Sequence, residues 1–126
     1  MTPPARTVLL IEDDLDIAEA MLDVLMDDGY EVAHASNGRE ALDLLHSQPE
    51  PSVILLDLMM PEMDGTQFRA EQLRDPKLAR IPVIVLSADR KCAEKARELG
   101  VNSFLVKPLG PEQLLALVEQ MRGAPH

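Results

Sequence analysis

Apolar residues in this chain fall into short unbroken runs that alternate with longer, periodic stretches. Thr7-Val-Leu-Leu-Ile11 is a β-branched and aliphatic run stopped by Glu12-Asp13-Asp14, the pattern of a strand covered on both faces. From Leu15 to Met26 the apolar residues take helical spacing and stop at Asp28-Gly29, where glycine suits a left-handed cap. That helix is apolar on two sides: Leu15, Ala18, Leu22 and Leu25 form one stripe, and Ile17, Met21 and Val24 form another. Tyr30 to Ala35 alternates small and polar residues and predicts a weaker strand at a sheet edge. Asn37 caps a predicted helix carrying Ala41, Leu42 and Leu45, which Pro49 and Pro51 bring to an end.

The same alternation continues to the C-terminal end. Val53 to Leu56 is a strand, and a helix with Phe68 and Leu73 follows Gly65, with Gln72 where a third apolar contact is expected. Pro82 to Leu86 is the fourth strand. Asp89 caps a helix from Arg90 to Leu99, with Gly100 as its stop, and Ser103 to Val106 is the fifth strand. Pro111 opens a final helix that carries Leu114, Leu115, Leu117, Val118 and Met121. Five strands alternating with five helices predict one α/β domain over residues 1–126, with a core at about 7–122. Strands this apolar require a parallel sheet with helices on both faces and right-handed crossovers. Met1–Arg6 and Gly123–His126 read as frayed tails.

Composition narrows the function classes. A chain of 126 residues, 46% hydrophobic and 27% charged, can bury the core of one globular domain. It has no apolar run of membrane-spanning length and no basic-then-apolar leader, and the single Cys92 cannot form an internal disulfide, so a cytoplasmic setting is expected. A formal charge of −10 disfavours direct nucleic-acid binding, and three aromatics, Tyr30, Phe68 and Phe104, supply no stacking platform.

Ligands of an open parallel sheet gather beyond the carboxyl ends of its strands. The first strand delivers Glu12 and Asp13 there, the third Asp57, the fourth Ser87 and the fifth Lys107. Any one of them has a bland explanation. An acid or serine after a strand is usually a helix cap, as Asp14 and Asp89 are read here, and a lone lysine is usually surface. Independent capping, however, does not place an amine opposite three acids. Glu12, Asp13 and Asp57 sum to −3 and Lys107 supplies +1. Two carboxylates about 4 Å apart repel by roughly 1 kcal/mol in water and about 4 at an effective dielectric near 20. A divalent cation removes the remaining charge, and oxygen-only ligands favour Mg²⁺ over zinc. Such a site suits phosphoryl chemistry with Asp57 as the nucleophile.

Four segments carry a resemblance: Val8-Leu-Leu-Ile-Glu-Asp-Asp14, Leu55-Leu-Asp-Leu-Met-Met-Pro-Glu-Met-Asp-Gly65, Val83-Ile-Val-Leu-Ser-Ala88 and Phe104-Leu-Val-Lys-Pro108. In this order and spacing they resemble the CheY-like receiver domain of two-component response regulators, over nearly the whole chain. The resemblance implies a doubly wound (βα)5, flavodoxin-like fold with strand order 2-1-3-4-5. It implies that Asp57 takes a phosphoryl group from a sensor histidine kinase or phosphotransfer protein. Asp13, Asp57 and the Met59 carbonyl would ligate Mg²⁺, with Glu12 acting through a metal-bound water. Ser87 would hydrogen-bond the phosphoryl oxygens, Lys107 would pair with them, and Phe104 would be the switch aromatic that swings inward. Met59 and Asp89 lie where the family tunes dephosphorylation, and the Lys107-Pro108 bond is typically cis. The first helix would dock the phosphodonor. The helix from Arg90 to Leu99, the fifth strand and the final helix would form the output face, and a phosphorylation-dependent homodimer could use it. The expected class is a signalling domain, not an enzyme beyond its own phosphoryl transfer and autodephosphorylation, standing alone or within a larger regulator.

Magnitudes permit such a switch. Phosphorylation adds about −1.5 to −2 charge. Charge-assisted hydrogen bonds from Ser87 and Lys107 contribute roughly 1.5–3 kcal/mol each. Inverting a 1:99 population takes about 5.5 kcal/mol. Rival classes fit less well: a haloacid-dehalogenase-type phosphatase needs a second Asp where this chain has Met59, and a flavodoxin-like cofactor binder would not tolerate Glu12-Asp13-Asp14 beside a phosphate. The alternative to an active receiver is a pseudo-receiver, a protein-interaction module that is not phosphorylated.

Overall fold

Alternation within the strands decides the architecture, because successive side chains of a strand point to opposite faces of its sheet. In the computed structural model, which describes residues 6–58, 64–101, 103–107 and 110–122, both faces are apolar and both are covered. The chain runs β1 (Thr7–Ile11), α1 (Leu15–Asp27), β2 (Glu31–Ala35), α2 (Gly38–Ser47), β3 (Val53–Asp57), α3 (Gly65–Arg74), α4 (Pro76–Ala79), β4 (Val83–Ser87), α5 (Cys92–Glu98), β5 (Ser103–Val106) and α6 (Pro111–Arg122). All strand pairs are parallel, in the order β2-β1-β3-β4-β5, so the doubly wound α/β fold expected from the sequence is the fold observed. Leu9, Ile11, Ile54, Leu56 and Val85 face α2, α3 and α5 through Ala41, Phe68, Cys92 and Ala96. Val8, Leu10, Leu55, Ile84 and Leu86 face α1 and α6 through Ala18, Met21, Leu25, Leu114 and Val118. The central strands β3 and β4 are buried along their whole length.

Asp14 caps α1 by accepting from the N–H groups of Asp16 and Ile17, and Asn37 caps α2 by accepting from Glu40. Gly29 and Gly100 take φ of 89° and 74°, the left-handed stops expected of them.

Several expectations need correction. There are six helices among the described residues, not five: Asp75 caps the four-residue α4 with Pro76 in its first turn, a unit too short to leave a periodic signal. The buried face of α1 draws on both of its apolar stripes. Ala18, Met21 and Leu25 are buried, whereas Leu15 is 63% exposed, because the helix sits in the corner between the sheet and α6. In α3 it is Gln72 that is fully buried, while Leu73 is half exposed. Helix α5 begins at Cys92 with Lys91 as an N-cap that makes no side-chain bond; Asp89 instead accepts from the Lys91 N–H at 2.7 Å. Arg6 is not part of a frayed tail, since its guanidinium stacks 4.4 Å from the Tyr30 ring centroid and reaches the Asp28 carbonyl. No helix among the described residues is long and apolar enough to cross a membrane.

Candidate functional site

Parallel strands place their carboxyl ends along one edge, and the site is assembled there. β3 ends on Asp57, and Asp57 pairs in register with Leu86, which sets Ser87 one residue further along the neighbouring strand. On the other side of β3, Glu12 leaves β1, fixed by its N–H donating to the Ala35 carbonyl at 3.0 Å. Lys107 leaves β5 with its backbone N–H donating to the Ser87 carbonyl at 2.9 Å. Four strands thus deliver their terminal side chains to one place.

Oxygens of Glu12, Asp13 and Asp57 all lie within 4.8 Å of one another, Glu12 and Asp57 buried and Asp13 exposed. The ammonium of Lys107 is 2.6 Å from Glu12 Oε1 and 3.5 Å from Asp57 Oδ2. Its side chain is 14% exposed against 0% and 4% for the two acids, so the pair is nearly dry. Burial works against the charge on Glu12. The hydrogen bond and charge of Lys107 and the Asp14 N–H outweigh burial, and the carboxyl lies below its ordinary value of 4.5. Lys107 behaves likewise: burial disfavours its charge, but the hydrogen bond to Glu12 and the charges of Asp57 and Glu12 hold it above 10.5. Ser87 is buried, and its Oγ accepts from the Asp89 N–H at 3.1 Å.

Chemically, the donor set fits a hard divalent cation. It offers carboxylate oxygens from two separate strand ends, with no imidazole or thiolate in the cluster, and one of them, Asp13, opens to solvent where metal-bound waters would remain. Asp14, by contrast, is committed to capping α1 and contributes only its N–H, at 3.3 Å from Glu12 Oε2.

Of the residues expected at the site, the structure brings Glu12, Asp13, Asp57 and Lys107 together, with Ser87 beside them. Phe104 is elsewhere, on the edge strand β5, 39% exposed and facing out. Met59 and the Lys107-Pro108 bond lie outside the described residues. Two neighbours were missed by sequence reasoning. His34 Nε2 is 2.7 Å from the Glu12 carbonyl, a contact that depends on the β1–β2 register. Gly65 stood in the sequence only as the residue a helix follows, and its role is steric. A Cβ there would lie 2.8 Å from the Asp57 carbonyl oxygen and from Leu58 Cα, so only glycine lets α3 begin against the strand that carries Asp57.

The sequence pattern of the response regulator receiver domain matches residues 8–119. Response regulator MprA of Mycolicibacterium vanbaalenii is 38% identical over 115 residues, which cover 90% of this chain and 48% of MprA. The chain spans about half the length of several such curated relatives. Among solved structures, the receiver domain of a signal transduction histidine kinase from Syntrophus aciditrophicus superposes with a TM-score of 0.82 at 34% identity, over 92% of this chain and 89% of that one. The Mn(2+)-bound form of response regulator Rcp1 gives a TM-score of 0.73 at 31% identity, over 91% of this chain and 90% of Rcp1.

Proposed function

Because the chain belongs to the response regulator receiver family, we propose that it is a phosphoacceptor switch in which Asp57 carries the phosphoryl group. The observation that carries this reading is the convergence of Glu12, Asp13 and Asp57 around the nearly dry ammonium of Lys107. A carboxylate oxygen of Asp57 attacks phosphorus of a phosphohistidine on a sensor kinase or phosphotransfer protein. The new O–P bond forms as the N–P bond breaks, and the imidazole leaves with its electron pair. Asp13 and Asp57, with Glu12 beside them, would hold Mg²⁺, which would supply charge neutralisation at the transferring oxygens. Response regulator Rcp1, 31% identical, is known in a Mn(2+)-bound form, which supports a divalent ion in this reading.

The chain's own residues do the rest. A buried strand end fixes the nucleophile, since in-line transfer tolerates little misplacement. Lys107 has a ready alternative partner: it leaves Glu12 and Asp57 to pair with the new phosphoryl oxygens. Ser87 Oγ exchanges its contact with the Asp89 N–H for one with phosphate, and Phe104 follows inward. The output face is α5, β5 and α6, where Phe104 and Val106 stand exposed; a downstream partner or a second copy would bind there. The domain acts in the cytoplasm and catalyses no reaction beyond its own phosphorylation and dephosphorylation. A pseudo-receiver would not need all five chemical positions filled.

Beryllofluoride with Mg²⁺ mimics the phosphoryl group, and amide NMR reads the response. The expected result is perturbation of Ser87 and Phe104 in the wild type and none in Asp57→Ala. Identical spectra with and without the mimic in the wild type would overturn the reading.

A further inference from the structure

Two polar side chains lie inside the otherwise apolar layer beneath α3. Arg69 is 9% exposed and Gln72 is fully buried. Arg69 donates through Nη1 to Gln72 Oε1 at 2.8 Å, through Nε to the Leu99 carbonyl at 3.0 Å, and through Nη2 to the Gly100 carbonyl at 3.5 Å. Gln72 Nε2 donates in turn to the carbonyls of Leu78 at 2.9 Å and Ile81 at 3.3 Å. The guanidinium therefore sits on the chain leaving α5, where terminal carbonyls lack intrahelical donors and the helix dipole favours a cation. Gly100 turns left-handed at that point, and the Val101 N–H returns to the Ala96 carbonyl at 2.9 Å.

The opposite end of α5 is built more loosely. Its N-cap makes no side-chain bond. The segment before it hangs on Asp89, whose N–H rests on Ser87 Oγ at 3.1 Å and whose carboxylate takes the Lys91 N–H at 2.7 Å. The Lys95–Asp89 pair at 2.7 Å has both side chains 38% exposed, and exposed pairs hold little. The helix buries only Cys92 and Ala96, two small side chains.

We propose that Arg69 is the pivot of α5: its buried fork clasps the C-terminal end of the helix while the end beside Ser87 is left free to swing. The swing rests on the switch reading above; the clasp does not. The pivot also stands on the right element, because α3 starts at Gly65, packed against the backbone of Asp57 and Leu58. One helix thus abuts the phosphoacceptor at its start and holds the moving helix from its middle.

Amide hydrogen exchange of the unphosphorylated protein tests the clasp. The reporters are the amides of Leu99, Gly100 and Val101, all of which are hydrogen-bonded. Arg69→Met is expected to speed their exchange by about tenfold or more beyond any change at reference amides in β1 and α6. The double variant Arg69→Leu/Gln72→Leu also takes the donor from the Leu78 and Ile81 carbonyls, so the reference amides are expected to speed further while the three reporters stay fast. Uniform acceleration in the single variant, no acceleration at the reporters, or their recovery in the double variant would overturn the clasp. Beryllofluoride and Mg²⁺ added to the wild type test the swing. Large amide shifts at Asp89 to Cys92 with small ones at Leu99 and Gly100 are expected. Equal shifts at both ends would overturn the pivot, and no shift anywhere in α5 would overturn the switch reading and the pivot with it.

Discussion

Replacing Lys107 by methionine keeps most of the aliphatic stem and removes the charge that neutralises Glu12. Breaking a buried ion pair by deleting one partner typically costs about 3–5 kcal/mol, because the other charge is stranded. Here an escape route caps the loss, since Glu12 can take up a proton. From an ordinary value of 4.5, protonation at pH 7 costs about 1.36 kcal/mol for each of 2.5 pH units, or roughly 3.4 kcal/mol. At pH 5 the same step costs about 0.7 kcal/mol. The wild type behaves oppositely. Its Glu12 carboxyl lies below the ordinary value, so the stability this group contributes is fully present above 4.5 and is lost as pH falls through the folded value. Lys107, held above 10.5, contributes below that value and loses its contribution as pH rises through the folded one. Between pH 5 and 7 the wild-type pair is intact, so the difference between the proteins isolates the stranded acid. Urea unfolding without divalent ions should show Lys107→Met about 3 kcal/mol less stable at pH 7 and less than about 1 kcal/mol less stable at pH 5. Millimolar Mg²⁺ should recover part of the loss at pH 7. An equal deficit at both pH values, or none at pH 7, would refute the assignment of Lys107 as the buried counter-ion.

Two further outcomes follow from the packing around the site. Gly65→Ala forces a Cβ into backbone 2.8 Å away, so it should destabilise the fold by about 1–3 kcal/mol in urea and slow phosphorylation of Asp57; unchanged values for both would mean that α3 can retreat without moving the acid. Cys92 is fully buried, and its thiol is raised by that burial and by the charge of Asp89; a thiol reagent at pH 8 should modify it only in urea, and rapid modification of the folded protein would place α5 elsewhere.

How far the sequence disclosed this structure depends on which interactions decide each element. The strands were legible because β1, β3 and β4 are buried on both faces and leave apolar runs with no other use. The acids were legible for the same reason, since each stands where such a run stops, and the lysine follows the shorter run of β5, which is exposed on one face. Helix α3 was misread at Leu73 and Gln72, because apolar spacing assumes that polar side chains face water. Arg69 satisfies Gln72, Gln72 satisfies the carbonyls of Leu78 in α4 and Ile81 after it, and together they displace Leu73 to the surface. The start of α5 was misplaced since Asp89 resembles a cap and serves instead as a bracket between Ser87 and Lys91. Gly65 and His34 act on Asp57 and Glu12 through backbone proximity, which no local pattern records.

Intact mass after incubation with acetyl phosphate, followed by peptide mapping, tests the central claim most directly. The expected result is a gain of one phosphoryl group that requires Mg²⁺, maps to Asp57 and is absent from Asp57→Ala. Labelling that persists in that variant, or proceeds equally well with the metal chelated, would contradict it.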